Sequence, residues 1–243
     1  MNTDARGAVA ELHVLGAGAA KGLVAALEAA HHAETGATLR GEFGAVGAIR
    51  EKWLSGARCD VIILTAPMLE GMAREGRVDA TTVASLGRVR TGVAVRQGDP
   101  LPAIADADAL RRTLLAAAGI YFPDPQKATA GIHFARVLER LGISAELDAR
   151  LRTFPNGATA MRAMAQAEGE RLVGCTQVTE INNTPGVVLV GLLPVEFELA
   201  TVYSAGVCAG GASPDAARRF VALLTGAASR ALRVKAGFEL GVT

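Results

Sequence analysis

The chain has 243 residues, of which 50% are hydrophobic and 20% charged, and its formal net charge is +1. This length can bury a sizeable core in one large domain or two small ones, and the composition excludes intrinsic disorder. The scattered basic residues and the aromatic content of 4% give no basis for nucleic-acid binding, which needs a clustered basic face or stacking platforms. No run approaches the roughly 18 apolar residues of a membrane span. We therefore expect no nucleic-acid partner and no membrane insertion.

Cysteine usage and the N-terminus bear on cofactors and location. Cys59, Cys175 and Cys208 lie far apart and form no CxxC pair, so buried free thiols are the simplest interpretation. We expect no metal and no cofactor. The first eleven residues include Asp4 and Glu11 and lack the apolar core of a signal peptide. The sequence thus predicts a cytoplasmic protein, which makes a transporter partner doubtful.

The stretch over residues 12–61 predicts three strands that alternate with two helices. The strands are expected at residues 12–15, 38–42 and 61–64, and turns of small residues at 16–18 and 43–47 open the helices. The carboxyl ends of parallel strands meet at one edge of a sheet, so both helix N-termini should face that edge. Unpaired N–H groups and the positive end of each helix dipole make such an edge an anion site.

From residue 88 the pattern changes to the alternating strand RVRTGVAVR, which we interpret as a crossing into a second lobe. The sequence predicts an α/β fold of two lobes, each a mixed, mostly parallel sheet flanked by helices, with a ligand cleft between them. Lobe 1 should comprise residues 1–90 and 195–243, and lobe 2 residues 91–194. The hinge strands are expected near 88–96 and 187–207, an arrangement suited to closure around a ligand.

Three segments carry a resemblance to a known family. They are VLGAGAAKGLVAALEAA with the following ETGATLRGEFGAVGAIREKWLSGARCDVIILTAPMLEGMAREGRV, then PDPQKATAGIHFARVLERLGI, and finally SPDAARRFVALLTG with VKAGF. Over residues 12–238 the chain resembles the type 2 periplasmic binding protein superfamily, particularly its molybdate-binding branch of transporter substrate-binding proteins. The resemblance implies that the first turn, the second turn, the loop before the AGI helix and the loop after a late strand converge on the ligand.

The converging loops define an expected ligand site. Members that hold molybdate place a serine in the first turn and a serine pair in the second, whereas this chain has Ala19 and Ala45-Val46 there. The side-chain donors of an oxyanion site are missing, so weak molybdate and tungstate binding is expected. The expected ligand-binding residues are Gly18, Ala19, Ala20, Lys21, Gly44, Ala45, Val46, Arg50, Thr65, Thr129, Ala130, Thr176 and Gln177.

Two cations near the starts of the predicted helices suggest the kind of ligand. Lys21 and Arg50 each oppose a helix dipole there, which is unfavourable unless the side chain meets an anion. Their shared placement favours a carboxylate-bearing ligand, since arginine grips carboxylates in bidentate fashion. Placement of both on the solvent surface is about an equal alternative.

Two functional hypotheses follow. The first is a binding protein that closes over a small anion, an organic acid rather than molybdate, with a molybdate- or tungstate-binding transporter component as an alternative. The second is a cytosolic isomerase of a small di- or tricarboxylate, because aconitate isomerase resembles the same branch and moving a double bond needs a base. Asp124 and Glu180 are candidate carboxylates, although Asp124 lies between two prolines as turn residues do, and Asn156 and Thr159 are expected to cap a helix.

Overall fold

The computed structural model describes residues 11–241, in which strands and helices alternate along the chain. The strands are β1 Glu11–Ala17, β2 Thr38–Gly44, β3 Val61–Thr65, β4 Ala84–Arg96, β5 Gly119–Pro123, β6 Leu151–Phe154, β7 Leu172–Gln177, β8 Val187–Leu192 and β9 Ala200–Val207. The helices are α1 Lys21–Thr35, α2 Val46–Leu54, α3 Ala66–Arg74, α4 Ala107–Ala116, α5 Thr129–Arg140, α6 Ser144–Leu147, α7 Gly157–Gln166, α8 Val178–Asn182, α9 Pro214–Thr225 and α10 Arg230–Ala236. A 3-10 turn at Gly18–Ala20 leads directly into α1.

The first sheet belongs to lobe 1 and has the order β2-β1-β3-β9-β4. Strand β1 runs parallel to both β2 and β3, whereas β9 is antiparallel to β3 and to residues 84–90 of β4. The parallel β1 and β2 place the starts of the next helices at one sheet edge, as the sequence predicted. Helix α1 buries Leu23, Val24 and Leu27 against this lobe, the apolar stripe that its sequence spacing indicates.

The second sheet belongs to lobe 2 and takes up the other half of β4. Residues 91–94 of β4 pair antiparallel with β7, and residues 92–96 pair with β8. Strand β5 lies parallel to β6 and β7. The change of partner falls between Arg90 and Thr91, so a single strand passes from one lobe to the other at the level of the cleft.

Each lobe has its own apolar interior. The core of lobe 1 includes Leu15, Ile63 and Phe220, while the largest core of lobe 2 includes Phe122 and Phe134. A smaller cluster around Met161 and Met164 fills the space between α7 and the second sheet. Because burial of apolar area stabilises each lobe separately, the polar cleft between them does not need to form a continuous core.

Most predicted elements are present, often a few residues longer than expected. The sequence missed α6, β6 and α8, and parallel and antiparallel strand pairs are equal in number among residues 11–241 rather than mostly parallel. None of the helices in this part of the chain is long and apolar enough to cross a bilayer. The signal-peptide argument concerns residues outside the described range, so cytoplasmic location stays a prediction.

Candidate functional site

A small cavity lies between the lobes where the starts of several helices converge. Its volume is about 20 Å³, room for about one water molecule, so any larger ligand requires the lobes to separate. It is lined by Ala17, Gly18, Ala19, Gly44, Ala45, Val46, Pro123, Ala128, Thr129, Ala130, Asn156, Gly157, Gln177, Glu180 and Tyr203.

Two helices that start at this cavity lack a side-chain acceptor at their N-cap. Helix α2 of lobe 1 begins after Ala45 and α5 of lobe 2 after Ala128, and neither alanine has a side-chain acceptor for the N–H groups of the first turn. Helix α7 differs, since Asn156 accepts from the backbone N–H of Thr159 at 2.9 Å. The expectation that Asn156 caps a helix is confirmed. Free N–H groups at helix starts attract negatively charged or oxygen-rich groups.

Gln177 lines the cavity and has an unsatisfied side-chain amide. Its side chain is 3% exposed, and neither Oε1 nor Nε2 has a hydrogen-bond partner in the described structure. A buried polar group without a partner costs about 1–3 kcal/mol. Since Gln177 lines the cavity, a bound molecule can supply the missing donor and acceptor together.

Glu180 also lines this cavity, and the residue is buried, with 6% of its surface exposed. Its Oε2 accepts a 2.6 Å hydrogen bond from the Thr176 hydroxyl, and its Oε1 accepts one from the backbone N–H of Ala158 at 3.3 Å. The nearby backbone N–H groups of Gly157 and Gln177 also favour the ionised form and lower the pKa of this carboxyl group. The carboxyl group therefore sits at the N-terminus of α7, where the helix dipole favours a negative charge.

Glycines on both sides of the cleft make room for this carboxyl group. A β-carbon on Gly18 of lobe 1 would overlap Oε1 of Glu180, and one on Gly157 of lobe 2 would overlap Oε2 and the Thr176 hydroxyl. Glu180 thus contacts both lobes when the cleft is closed. The short helix α8 that carries it packs against α7 and the turn at Gly18.

Burial dominates the titration of the acids in the cavity. It raises the pKa of Glu180 above the ordinary value of 4.5, and the hydrogen bonds from Thr176 and the backbone offset this in part. Tyr203, 2% exposed, has its pKa raised by burial and by the charge of Glu180. Among residues 11–241, no Lys, Arg or His side chain forms an ion pair with Glu180 or lines the cavity.

Two contacts across the mouth of the cleft hold the lobes together. The Gly47 N–H donates to the Lys127 carbonyl at 3.4 Å, and Lys127 Nζ lies 3.1 Å from a carboxylate oxygen of Glu51. Both side chains of the ion pair are about half exposed or more, and such pairs contribute about 0–1 kcal/mol. This ion pair therefore adds little to the stability of the closed arrangement.

The structure brings most, but not all, of the expected site residues to the cavity. Ala20 and Thr176 are fully buried and do not line the cavity, although the Thr176 hydroxyl donates to Glu180, which does. Thr65 and Arg50 are partly buried and do not line the cavity either. Lys21 is exposed in a separate groove between α1 and β2, beside Glu28 and Arg40. Those that line it are Gly18, Ala19, Gly44, Ala45, Val46, Thr129, Ala130 and Gln177. Their role in ligand binding stays a prediction.

Other cavity residues were missed or assigned a different role. Tyr203 was missed, because the run ATVYSAGV of β9 is buried almost throughout and its spacing does not mark one side chain. Glu180 was named only as a possible acid or base. Asp124 accepts from the backbone N–H groups of Gln126 and Lys127, so its interpretation as a turn residue is confirmed. Within residues 11–241, no three potential metal-binding side chains lie together.

The two-lobed fold with its cleft is that of the type 2 periplasmic binding proteins. The solved structure of the Azotobacter vinelandii periplasmic molybdate-binding protein matches 95% of this chain and 100% of its own, with a TM-score of 0.76 and 19% identity. The structure of the sulfate-binding protein SubI of Mycobacterium tuberculosis matches 94% of this chain and 86% of its own, with a TM-score of 0.71 and 19% identity. The structure of the Campylobacter jejuni protein PEB3 with bound L-phospholactate matches 95% of this chain and 100% of its own, with a TM-score of 0.66 and 13% identity. At these identities the likeness concerns the fold.

The chain belongs to the family of bacterial extracellular solute-binding proteins, whose sequence profile matches residues 12–239. Its sequence is also similar to aconitate isomerase of a Pseudomonas species, with 30% identity over 166 residues. That match covers 68% of this chain and 61% of the isomerase, less than two thirds of its length. The family resemblance drawn from the sequence is therefore confirmed.

Proposed function

We propose that this protein closes its cleft over a small organic acid that offers at least one hydrogen-bond donor besides its carboxylate oxygens. The observation that carries this proposal is the buried amide of Gln177, whose oxygen and nitrogen both lack partners. A ligand with a hydroxyl or a protonated carboxyl group satisfies both amide atoms. A fully ionised oxyanion offers acceptors alone and leaves Oε1 of Gln177 unpaired.

The lining of the cavity supports a ligand whose negative charge is spread over several atoms. The described residues around it include one carboxyl group and no cation, so the negative charge of a ligand meets backbone N–H groups and the Gln177 amide. The alanines at positions 19 and 45 lack the hydroxyl donors that the molybdate-binding branch uses. An organic acid spreads its charge over a larger molecule than molybdate or sulfate does, which favours it in this setting.

A thermal-shift screen tests the proposal. Malate, citrate, aconitate, sulfate, molybdate and tungstate are compared over a range of concentrations with the unmodified protein and with Q177L. We expect malate and citrate, which carry a hydroxyl group, to raise the midpoint more than ionised aconitate does, since a ligand at 100 times its dissociation constant stabilises by about 2.7 kcal/mol. Q177L should lose most of that shift. Stabilisation by molybdate or tungstate at far lower concentrations than by any organic acid would overturn the proposal.

A second candidate is an isomerase of a small di- or tricarboxylate, and Glu180 is the observation that favours it. Moving a double bond needs a group that takes a proton from the carbon beside it, while another proton is added at the far end. Glu180 faces the cavity, and its raised pKa makes its ionised form a stronger base than an exposed glutamate. The similarity to aconitate isomerase supports this candidate as well.

Following the interconversion of aconitate isomers by proton NMR separates the two candidates. An enzyme should interconvert the isomers with the unmodified chain and lose that activity in E180Q, while both proteins still bind aconitate in the thermal-shift assay. Binding without turnover by the unmodified protein identifies a receptor.

A further inference from the structure

We propose that the cleft takes up one proton on the carboxyl group of Glu180 when it closes over an anionic ligand. This inference rests on the proposed function, because it concerns how the same cavity accommodates the charge of an acid. It assigns Glu180 as a residue that makes ligand affinity depend on pH, independently of whether the protein is a receptor or an enzyme.

The first argument is the position of the carboxyl group. Glu180 lines a cavity that holds about one water molecule and is itself nearly inaccessible to solvent. A ligand in this cavity lies within a few ångströms of the carboxyl oxygens, with little water between them. At such separations and low effective dielectric, two like charges repel each other strongly.

The second argument is the set of groups that face Glu180. Strand β7 contributes the Thr176 hydroxyl, the start of α7 contributes the backbone N–H group of Ala158 and the close approach of Gly157, and the turn before α1 contributes Gly18. Strand β9 contributes Tyr203, which is neutral near physiological pH and can add no positive charge. In the described structure these elements bring no cation to Glu180, so a second negative charge meets only uncharged backbone N–H groups and the Gln177 amide.

Two negative groups that share a site without a cation usually hold one proton between them. Here that proton comes from the solvent as the cleft closes. A protonated carboxyl group then donates its O–H to a ligand oxygen or to a cavity neighbour. Wherever Glu180 is ionised in the free protein, each unit of pH increase should weaken binding by about tenfold for one linked proton.

Calorimetric titration with malate, citrate and aconitate tests this inference. Each probe is titrated between about pH 7.5 and about pH 8.5, where its carboxyl groups are ionised, in buffers with different heats of ionisation. The unmodified protein should take up a fraction of a proton per ligand that approaches one as the pH rises, and its affinity should fall with pH. E180Q, which mimics the protonated side chain, should show neither effect and should bind more tightly than the unmodified protein at the highest pH.

A matched control removes a carboxyl group elsewhere. Glu139 lies on the exposed face of α5, so E139Q makes the same chemical change without touching the cavity and should keep the proton uptake of the unmodified protein. Binding without any buffer dependence would overturn the inference while leaving the proposed function intact. If none of the three acids binds the unmodified protein, both fail. If E180Q does not fold, a pH-independent affinity of the unmodified protein is sufficient to reject the inference.

Discussion

A carboxyl oxygen of Glu180 occupies the space that a β-carbon of residue 157 would fill, because that residue is glycine. The absence of a side chain at Gly157 lets the carboxyl group reach the N-terminus of α7 and line the cleft. The two residues are 23 positions apart in sequence, on different helices. The missing side chain of Gly157 is therefore what allows a carboxyl group to lie in the cavity.

Replacing Gly157 with alanine should destabilise the protein and disturb the site. The new methyl group meets the Thr176 hydroxyl and the Glu180 carboxyl group, and such overpacking costs about 1–3 kcal/mol. Chemical denaturation measures the loss. Gly71→Ala is the matched control, since a β-carbon there approaches a single flexible arginine end within helix α3 and should stabilise by up to about 1 kcal/mol. Equal stability of both variants would contradict the described contact.

Replacing Gln177 with leucine should raise stability while it lowers ligand affinity. The substitution removes two unsatisfied buried polar atoms from the free protein. In the complex it removes the amide that pairs with the bound acid, and the unpaired ligand groups cost about 1–3 kcal/mol. Denaturation and calorimetry measure the two quantities. Lys21→Met serves as a comparison, because Lys21 lies in a different groove and its replacement should leave affinity unchanged. A large loss of affinity in Lys21→Met would restore the earlier hypothesis that this lysine grips the ligand.

Glu180 should make the free protein less stable as the pH rises above about 4.5. Burial raises its pKa in the folded state from the ordinary value of 4.5, so above that value the unfolded chain binds fewer protons than the folded chain and stability falls. The fall ends once the pH passes the folded-state pKa. Comparing the free energies of unfolding of E180Q and the unmodified protein over this range measures the effect. A difference that does not change with pH would show that the folded pKa is not raised.

His31 should make the protein less stable as the pH falls. It is fully buried in lobe 1, with its ring edge-on to Phe220 at a centroid distance of 4.9 Å, and burial lowers its pKa from 6.5. Below about pH 6.5 the unfolded chain binds a proton here that the folded chain does not, so stability falls on acidification. His31→Leu should lose less stability than the unmodified protein between about pH 7.5 and about pH 5.5. Parallel acid profiles would contradict this assignment.

Cys59 and Cys208 should form a disulfide when the protein refolds with a small-molecule disulfide such as oxidised glutathione. Their sulfur atoms are 3.2 Å apart, and thiol–disulfide exchange would transfer the bond to the protein and release two reduced glutathione molecules. The neighbouring Cys59 thiol and burial raise the pKa of Cys208, so exchange should be slow in the folded state. Peptide mapping should find this pair joined and Cys175, in the core of lobe 2, free. Random pairing among the three thiols would contradict the described geometry.

The parts of the fold that the sequence predicted are those with strong local patterns. The continuous apolar run of β3 and the helical spacing of Leu23, Val24 and Leu27 need no tertiary information, and both are confirmed. The five-residue helix α8 was missed because VTEIN is too short to show a period. Its conformation depends on packing against α7 and the Gly18 turn, which come from distant parts of the chain.

The sequence predicted where Lys21 lies along its helix, but not the direction in which its side chain points. The sequence placed Lys21 correctly at the start of α1, which fixes its height along the helix axis. It did not fix the side of the helix on which the lysine lies, because each residue turns by about 100° around the axis. The side chain points to an outer groove. Glu180 and Tyr203 meet through tertiary folding alone, which no spacing in the sequence records.

Strand β4 has a consequence for dissecting the protein. Its residues 84–90 complete one sheet and its residues 91–96 complete the other, so no cut in the chain frees one lobe with all its strands. A fragment that starts at residue 91 contains β9 but lacks both of its partners, β3 and residues 84–90 of β4, and so exposes the edges of β9 to other chains. Exposed strand edges promote aggregation. The two halves of this molecule are therefore mutually dependent for solubility, and neither is expected to be obtained as an independent recombinant domain.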